Sequence, residues 1–224
     1  MRILFSSLPT HGHTYPLLPL ALAARDQGHD ITFATGEGFH EPLNRLGFDV
    51  VAAGVDMRQA FGAAAVELGV APGRMDLPQD EVIVLAGKAF GSIMPRSFAN
   101  DLRPVIDQVK PDLVVHELAN PGAGLAALVA DVPALCHGFG RVSPEEFHAV
   151  VGGELAAVAA ELGTDLPDGN PFLLGNPYLD ICPPTFQSPI SSAPPTGSRC
   201  ARCRSPSRAS CPRGCVSTSE RWCT

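Results

Sequence analysis

The sequence predicts a doubly wound α/β fold built on a mostly parallel sheet. Three observations predict it. Short β-rich runs alternate with longer helical stretches from the N-terminus onward; prolines and glycines punctuate the boundaries; and 224 residues at 45% hydrophobic are enough chain to bury a substantial core.

The first strand is the apolar run Ile3, Leu4 and Phe5. Residues 17–24 read as a helix, introduced by Pro16, whose fixed φ suits a first helical turn, and closed by Gly28. Residues 30–35 (DITFAT) form a second strand, 41–46 a second helix stopped at Gly47, and 49–53 a third strand. Strand, helix, strand in succession implies parallel pairing through right-handed crossovers. Residues 56–110 are less regular: helical stretches are expected at 58–68, 80–93 and 98–109, broken by Pro72, Pro78 and Pro95, and they suit the wall of a pocket. Beyond them, residues 111–116 (PDLVVH) read as a buried strand, 123–130 as a helix and 132–137 as another strand. A long helix follows over 144–162, with Ser143 and Glu146 in capping-box spacing.

The net charge of −7 conceals a split. Residues 1–190 carry 10 Lys and Arg against 22 Asp and Glu, a net −12, whereas residues 191–224 carry six Arg against Glu220 alone, a net +5. The acidic part argues against a nucleic-acid partner. The longest apolar stretches, residues 17–24 and 82–86, fall short of the ~20 residues that span a bilayer, and the strand-like start is no signal peptide. A cytoplasmic protein is expected.

Folds of this kind bind ligands at the carboxyl ends of their strands, which directs attention to residues 8–15, 35–39, 116–122 and 137–141. The first turn, Ser6 to Pro16, lacks the G-x-G-x-x-G spacing by which a backbone approaches a pyrophosphate, so no dinucleotide site is expected there. It offers imidazoles instead. His13 falls at the start of the first helix, a position suited to a neutral general base. Glu117 directly follows a buried run, and parallel topology brings its carboxylate toward that turn. A carboxylate held to one ring nitrogen fixes the tautomer and stabilises the imidazolium formed when the other nitrogen takes a proton, so His13 with Glu117 suits activation of a hydroxyl. The same residues admit plainer roles. A loop histidine is often a surface or capping residue, an acid at a strand end often caps the next helix, and Phe61, Phe90 and Met94 suit a pocket wall or simply the core. A metal cluster of His11, His13, Glu117 and His137 is disfavoured, since no two of them share a helix at ligand spacing.

Several motifs in order resemble a known family: Ser6 to Pro19 (SSLPTHGHTYPLLP), Gly28 to Gly36 (GHDITFATG), Pro111 to Glu117 (PDLVVHE), His137 to Gly140 (HGFG) and Leu179 to Gln187 (LDICPPTFQ). They are similar to the N-terminal half of a GT-B glycosyltransferase, in the actinobacterial natural-product branch of the UDP-glycosyltransferase-like family. The resemblance implies that residues 1–187 form a Rossmann-like domain that takes a lipophilic small-molecule acceptor such as a polyketide, macrolide or aromatic aglycone. A second such domain across a cleft would bind the UDP- or dTDP-sugar, so the nucleotide sugar is expected only where that C-terminal domain is present. Inversion at the anomeric carbon follows from direct attack by an acceptor hydroxyl deprotonated by His13. Glu117 stands where the family commonly has Asp, the acid that orients this His. Acceptor contacts are expected from Leu8, Thr10, His11, Phe90, Met94, Asn120, His137 and Phe139. The resemblance implies no metal and no cofactor besides the nucleotide-sugar co-substrate.

Residues 188–224 read as a disordered tail. Within residues 191–224 stand eight Ser, six Arg, five Cys and four Pro, with no Leu, Ile, Phe or Met, a composition that builds no core. Cys200-x2-Cys203 and Cys211-x3-Cys215 offer four thiolates to zinc, but the gap between the pairs is short beside usual zinc ribbons. A shifted reading frame accounts for more. Begun at the third base of each codon, every cysteine codon becomes xTG, which is Leu, Val or Met, and Cys223, after the obligatory G of Trp222, becomes Val. Re-read this way with suitable codons, residues 193–224 resemble the family's interdomain linker and first C-terminal strand. The expectation is a frameshifted product that is inactive alone. The alternative is a non-catalytic acceptor-binding domain, or a half-enzyme that works with a donor domain in trans.

Overall fold

The computed structural model describes residues 1–71, 74, 76–140 and 145–183. Six strands pair in the order β3-β2-β1-β4-β5-β6, every pair parallel: β1 (Arg2–Ser6), β2 (Asp30–Thr35), β3 (Asp49–Ala52), β4 (Leu113–Glu117), β5 (Ala134–His137) and β6 (Tyr178–Leu179). From β1 the chain winds outward to β3, then returns to lay β4 on the other side of β1. The register at the centre sets Phe5 beside Phe33 and beside Val115. Loops leaving β1 and β4 therefore turn in opposite directions, and the crevice between them is the switch point at which such sheets bind ligands.

Both faces of the sheet are covered, which is why its strands read as continuous apolar runs. Ile3, Phe5, Ile31, Phe33 and Val115 pack on one face with Leu17, Ala21 and Leu43 from the helical segments that follow β1 and β2. Those segments are α1 (His11–Thr14), a 3-10 turn (Tyr15–Leu17), α2 (Leu18–Asp26) and α3 (His40–Arg45). On the other face Leu4, Ala34 and Val114 meet residues of α4 (Met57–Glu67), α6 (Met94–Val109) and α7 (Pro121–Val129), among them Ala60, Phe98, Leu102 and Ala123. α8 (Glu145–Glu161) closes the far side through Val151, Leu155 and Val158.

Three boundaries differ from those expected. The first helical turn starts at His11 and not at residue 17, so His13 lies in the first turn of a helical run that passes through the 3-10 turn into α2. Pro95 does not break the chain's path: α5 (Gln79–Lys88) passes through a π-turn (Ala89–Ile93) directly into α6, with Pro95 in the first turn of α6. A regular helix sets the carbonyl four residues back against a proline ring, and the wider π-turn relieves that clash. The resulting run, Gln79–Val109, is long and apolar enough by length and composition to cross a membrane, a property that the separate stretches read from sequence conceal. Its apolar side is spent on the core, where Phe98, Leu102 and Ile106 are buried. The third difference is β6, two residues long and absent from the sequence reading. The tail at 188–224, with its cysteine pairs, and Arg141, Ser143 and Pro144 lie outside the described residues.

Candidate active site

β1 and β4 end side by side, Ser6 beside His116 in register, and deliver their loops to the switch point. Glu117, the last residue of β4, is wholly buried. A carboxylate there needs donors, and the backbone supplies them: Oε1 accepts from the Leu8 N–H at 3.3 Å and Oε2 from the Ala119 N–H at 2.6 Å. His13 Nδ1 stands 3.2 Å from Glu117 Oε1, at ion-pair distance but without the angles of a well-formed hydrogen bond. Its side chain is 16% exposed, so the ring joins a buried acid to the open crevice. Phe139, from the loop after β5, lies against the ring with centroids 4.3 Å apart.

Behind His13 the first turn is held by hydroxyls. Ser7, Thr14 and Thr35 are wholly buried; Thr14 Oγ1 donates to the Leu8 carbonyl at 3.1 Å and lies 3.0 Å from Ser7 Oγ, which is 3.5 Å from Thr35 Oγ1. Asn120 ties the two sides of the switch point together. Its Oδ1 accepts from the Ala123 N–H to cap α7, while its Nδ2 donates to Ser6 Oγ at the end of β1.

The structure thus brings the side chains of His13, Glu117 and Phe139 together, with Leu8 and His137 adjoining Glu117. Leu8 reaches the site through its N–H while its side chain, like that of Met94, is sealed in the core and offers a ligand no surface. Asn120 is buried as a cap. Thr10 is half-buried and extended, at the entry to α1. His11 is exposed and packs edge-on against Tyr15 and Phe39. Phe90, half-buried on the π-turn, sits between Phe61 and Phe147 in edge-to-face contacts of 5.9 and 6.2 Å. His137 pairs in register with Glu117 and is buried, and its Nδ1 has no well-formed hydrogen bond among the described residues. Burial holds the His137 ring below the ordinary imidazole range, against the smaller opposing pull of the Gly138 backbone and the Glu117 charge. Among the described residues no three His, Cys, Asp or Glu gather as a metal site. A cleft of about 360 Å³, lined by Pro9, Gly36, Phe39, Asp56 and Gln59, opens beside the first turn.

Two parts of this arrangement escaped the sequence reading. The buried hydroxyls carry no local pattern. His116, adjacent to Glu117, is enclosed with Nδ1 3.2 Å from the Glu117 carbonyl and Nε2 3.3 Å from Asn176 Nδ2, and burial pushes its pKa down to about 4. A neutral ring so placed braces the strand end; Gly124 of α7 leaves it room, since a Cβ there would stand 2.9 Å from Nε2.

No protein-family model matches the chain. It is similar to L-demethylnoviosyl transferase of Streptomyces niveus, 28% identical over 192 residues that cover 84% of this chain and 46% of the relative. It is also similar to the elloramycin glycosyltransferase ElmGT of Streptomyces olivaceus, 29% identical over 200 residues, covering 85% of this chain and 48% of the relative. Among solved structures, the glycosyltransferase SsfS6 of Streptomyces sp. SF2575, complexed with thymidine diphosphate, matches the fold with a TM-score of 0.67 at 26% identity, over 83% of this chain and 50% of that one. The chain spans about half the length of the curated relatives it matches. By sequence and by fold it is a relative of the Streptomyces natural-product glycosyltransferases of GT-B architecture.

Proposed function

We propose that residues 1–187 are the acceptor-binding half of an inverting glycosyltransferase that moves a sugar from a nucleotide-sugar donor to a hydroxyl of a lipophilic natural product. The observation that carries the reading is the 3.2 Å approach of His13 Nδ1 to a wholly buried, doubly anchored Glu117 carboxylate. With Nδ1 turned to the acid, Nε2 is the nitrogen left to receive a proton. The acceptor hydroxyl gives that proton to Nε2 as its oxygen attacks the anomeric carbon; the bond from that carbon to the diphosphate breaks, and its electron pair leaves with the nucleotide. Glu117 stabilises the imidazolium so formed. The half-buried Phe139 ring beside His13 supplies apolar surface for a lipophilic acceptor. In this reading the protein works in the cytoplasm, and the reaction uses neither a metal nor a further cofactor.

Transfer also needs a nucleotide-sugar-binding half to hold the donor in line with His13, because positioning supplies much of the rate. The 224-residue chain alone is therefore expected to form no glycoside. The direct test is a chimera in which residues 1–187 replace the matching half of SsfS6. Transfer from a dTDP-sugar to a lipophilic alcohol, cut roughly 10²- to 10⁴-fold by His13→Ala, supports the proposal. Undiminished transfer by that variant overturns the role of His13, and acceptor binding without turnover favours a non-catalytic binding domain.

A further inference from the structure

We infer that Thr14, clasped by Ser7, is a positioning residue that holds His13 against Glu117; the inference rests on reading that pair as the proton-transfer couple. α1 is four residues long, and its entry residue Thr10 makes no side-chain capping bond. It is the uncapped first turn of a helical run that tightens at Tyr15–Leu17 and continues into α2; the end of such a run frays readily, so contacts made outside the helix fix its orientation. The one side chain of α1 turned wholly inward is Thr14. Its hydroxyl donates to the Leu8 carbonyl at 3.1 Å, and the Leu8 N–H donates to Glu117 Oε1 at 3.3 Å, the same oxygen that His13 Nδ1 approaches at 3.2 Å. Thr14, Leu8, Glu117 and His13 therefore form a closed circuit of two hydrogen bonds and one ion-pair contact, completed by the peptide bond between His13 and Thr14. Ser7 Oγ, 3.0 Å from Thr14 Oγ1, satisfies the hydroxyl's second position from β1's side. With Ser7, Leu8, Thr14 and Glu117 all buried, a missing hydroxyl leaves a carbonyl or a hydroxyl without its partner, and the turn gains a reason to move. Thr14 does not touch a substrate; it acts through the angle at which His13 meets the acid.

The test uses the whole 224-residue chain labelled with nitrogen-15, reading the His13 ring nitrogens by long-range proton–nitrogen correlation. In the parent chain the ring is expected in one tautomer, with its proton on Nδ1. Thr14→Val keeps the shape and removes the hydroxyl; it should lose the single-tautomer signature and give the averaged signals of a free imidazole, while Thr14→Ser restores it. Ser7→Ala loosens the clasp from the other side and should weaken the signature in the same direction, so it decides the matter if Thr14→Val fails to fold. A lowered melting temperature with an unchanged His13 spectrum means that the clasp is merely structural and overturns the inference. Glu117→Met, which keeps the length of the side chain and removes both oxygens, separates the two levels. If it leaves the His13 spectrum unchanged, the pairing itself is wrong and the clasp falls with it; if it alters the spectrum where Thr14→Val does not, only the clasp is wrong.

Discussion

Burial imposes a pH dependence at His116. The folded chain holds this ring neutral down to about pH 4, whereas the unfolded chain begins to protonate it near 6.5. Its contribution is therefore whole above pH 6.5 and is lost as the pH falls from 6.5 toward 4, reaching about 3 kcal/mol for this group. Urea denaturation at pH 7 and pH 4.5 should show the loss, and His116→Leu should flatten it. His137 and His148, both held low by burial, act in the same sense. At the candidate site, Glu117→Gln in a chimera with a donor half is expected to lower transfer less than His13→Ala does, because the amide still turns an oxygen toward Nδ1 but cannot balance the imidazolium charge. Steady-state rates of the two variants check this order. The approach of His13 to Glu117 was legible in the sequence because one falls early in a helix and the other ends a strand at the switch point of the sheet. Ser7, Thr14 and His116 were not, because a hydroxyl or an imidazole takes its role from partners that only the fold brings near.

Among the elements, α6 and α7 are tightly packed on one another. A Cβ on Gly122 would fall 2.5 Å from the Pro95 carbonyl oxygen and 2.9 Å from the Phe98 Cβ. Gly122→Ala must therefore push two helices apart in a well-packed region, with an expected loss of about 1–3 kcal/mol, visible as a lower melting temperature. Gly12→Ala, whose Cβ meets nothing within 4 Å, serves as the control. The residues DITFAT are a strand in both sequence and structure, since β-branched and aromatic residues stand between the glycines at 28 and 36. Pro95 misled the reading for an equally local reason: proline ends regular helices, and nothing in the neighbouring residues announces a π-turn. Tyr178–Leu179 pairs with β5 through two residues only, too short a segment for periodicity to reveal.

For the whole molecule, parallel pairing was legible in the strand and helix alternation, while the order β3-β2-β1-β4-β5-β6, and β6 itself, came only with the fold. The shifted-frame reading of residues 193–224 makes a prediction at the same scale: sequencing the source DNA from the codon of Pro184 onward should reveal a frame correction that opens into a second α/β domain. A confirmed uncorrected frame would end that reading. The sheet order also dictates when the site exists at all. The Leu8 amide and the Glu117 carboxylate are 109 positions apart in the chain, and such distant partners meet slowly during folding because a long loop must close first. The Leu8 amide hydrogen is thus a clock: in pulse-labelling exchange, its protection should lag that of the local helices and appear only as β1 and β4 dock, marking the moment at which the molecule acquires a site.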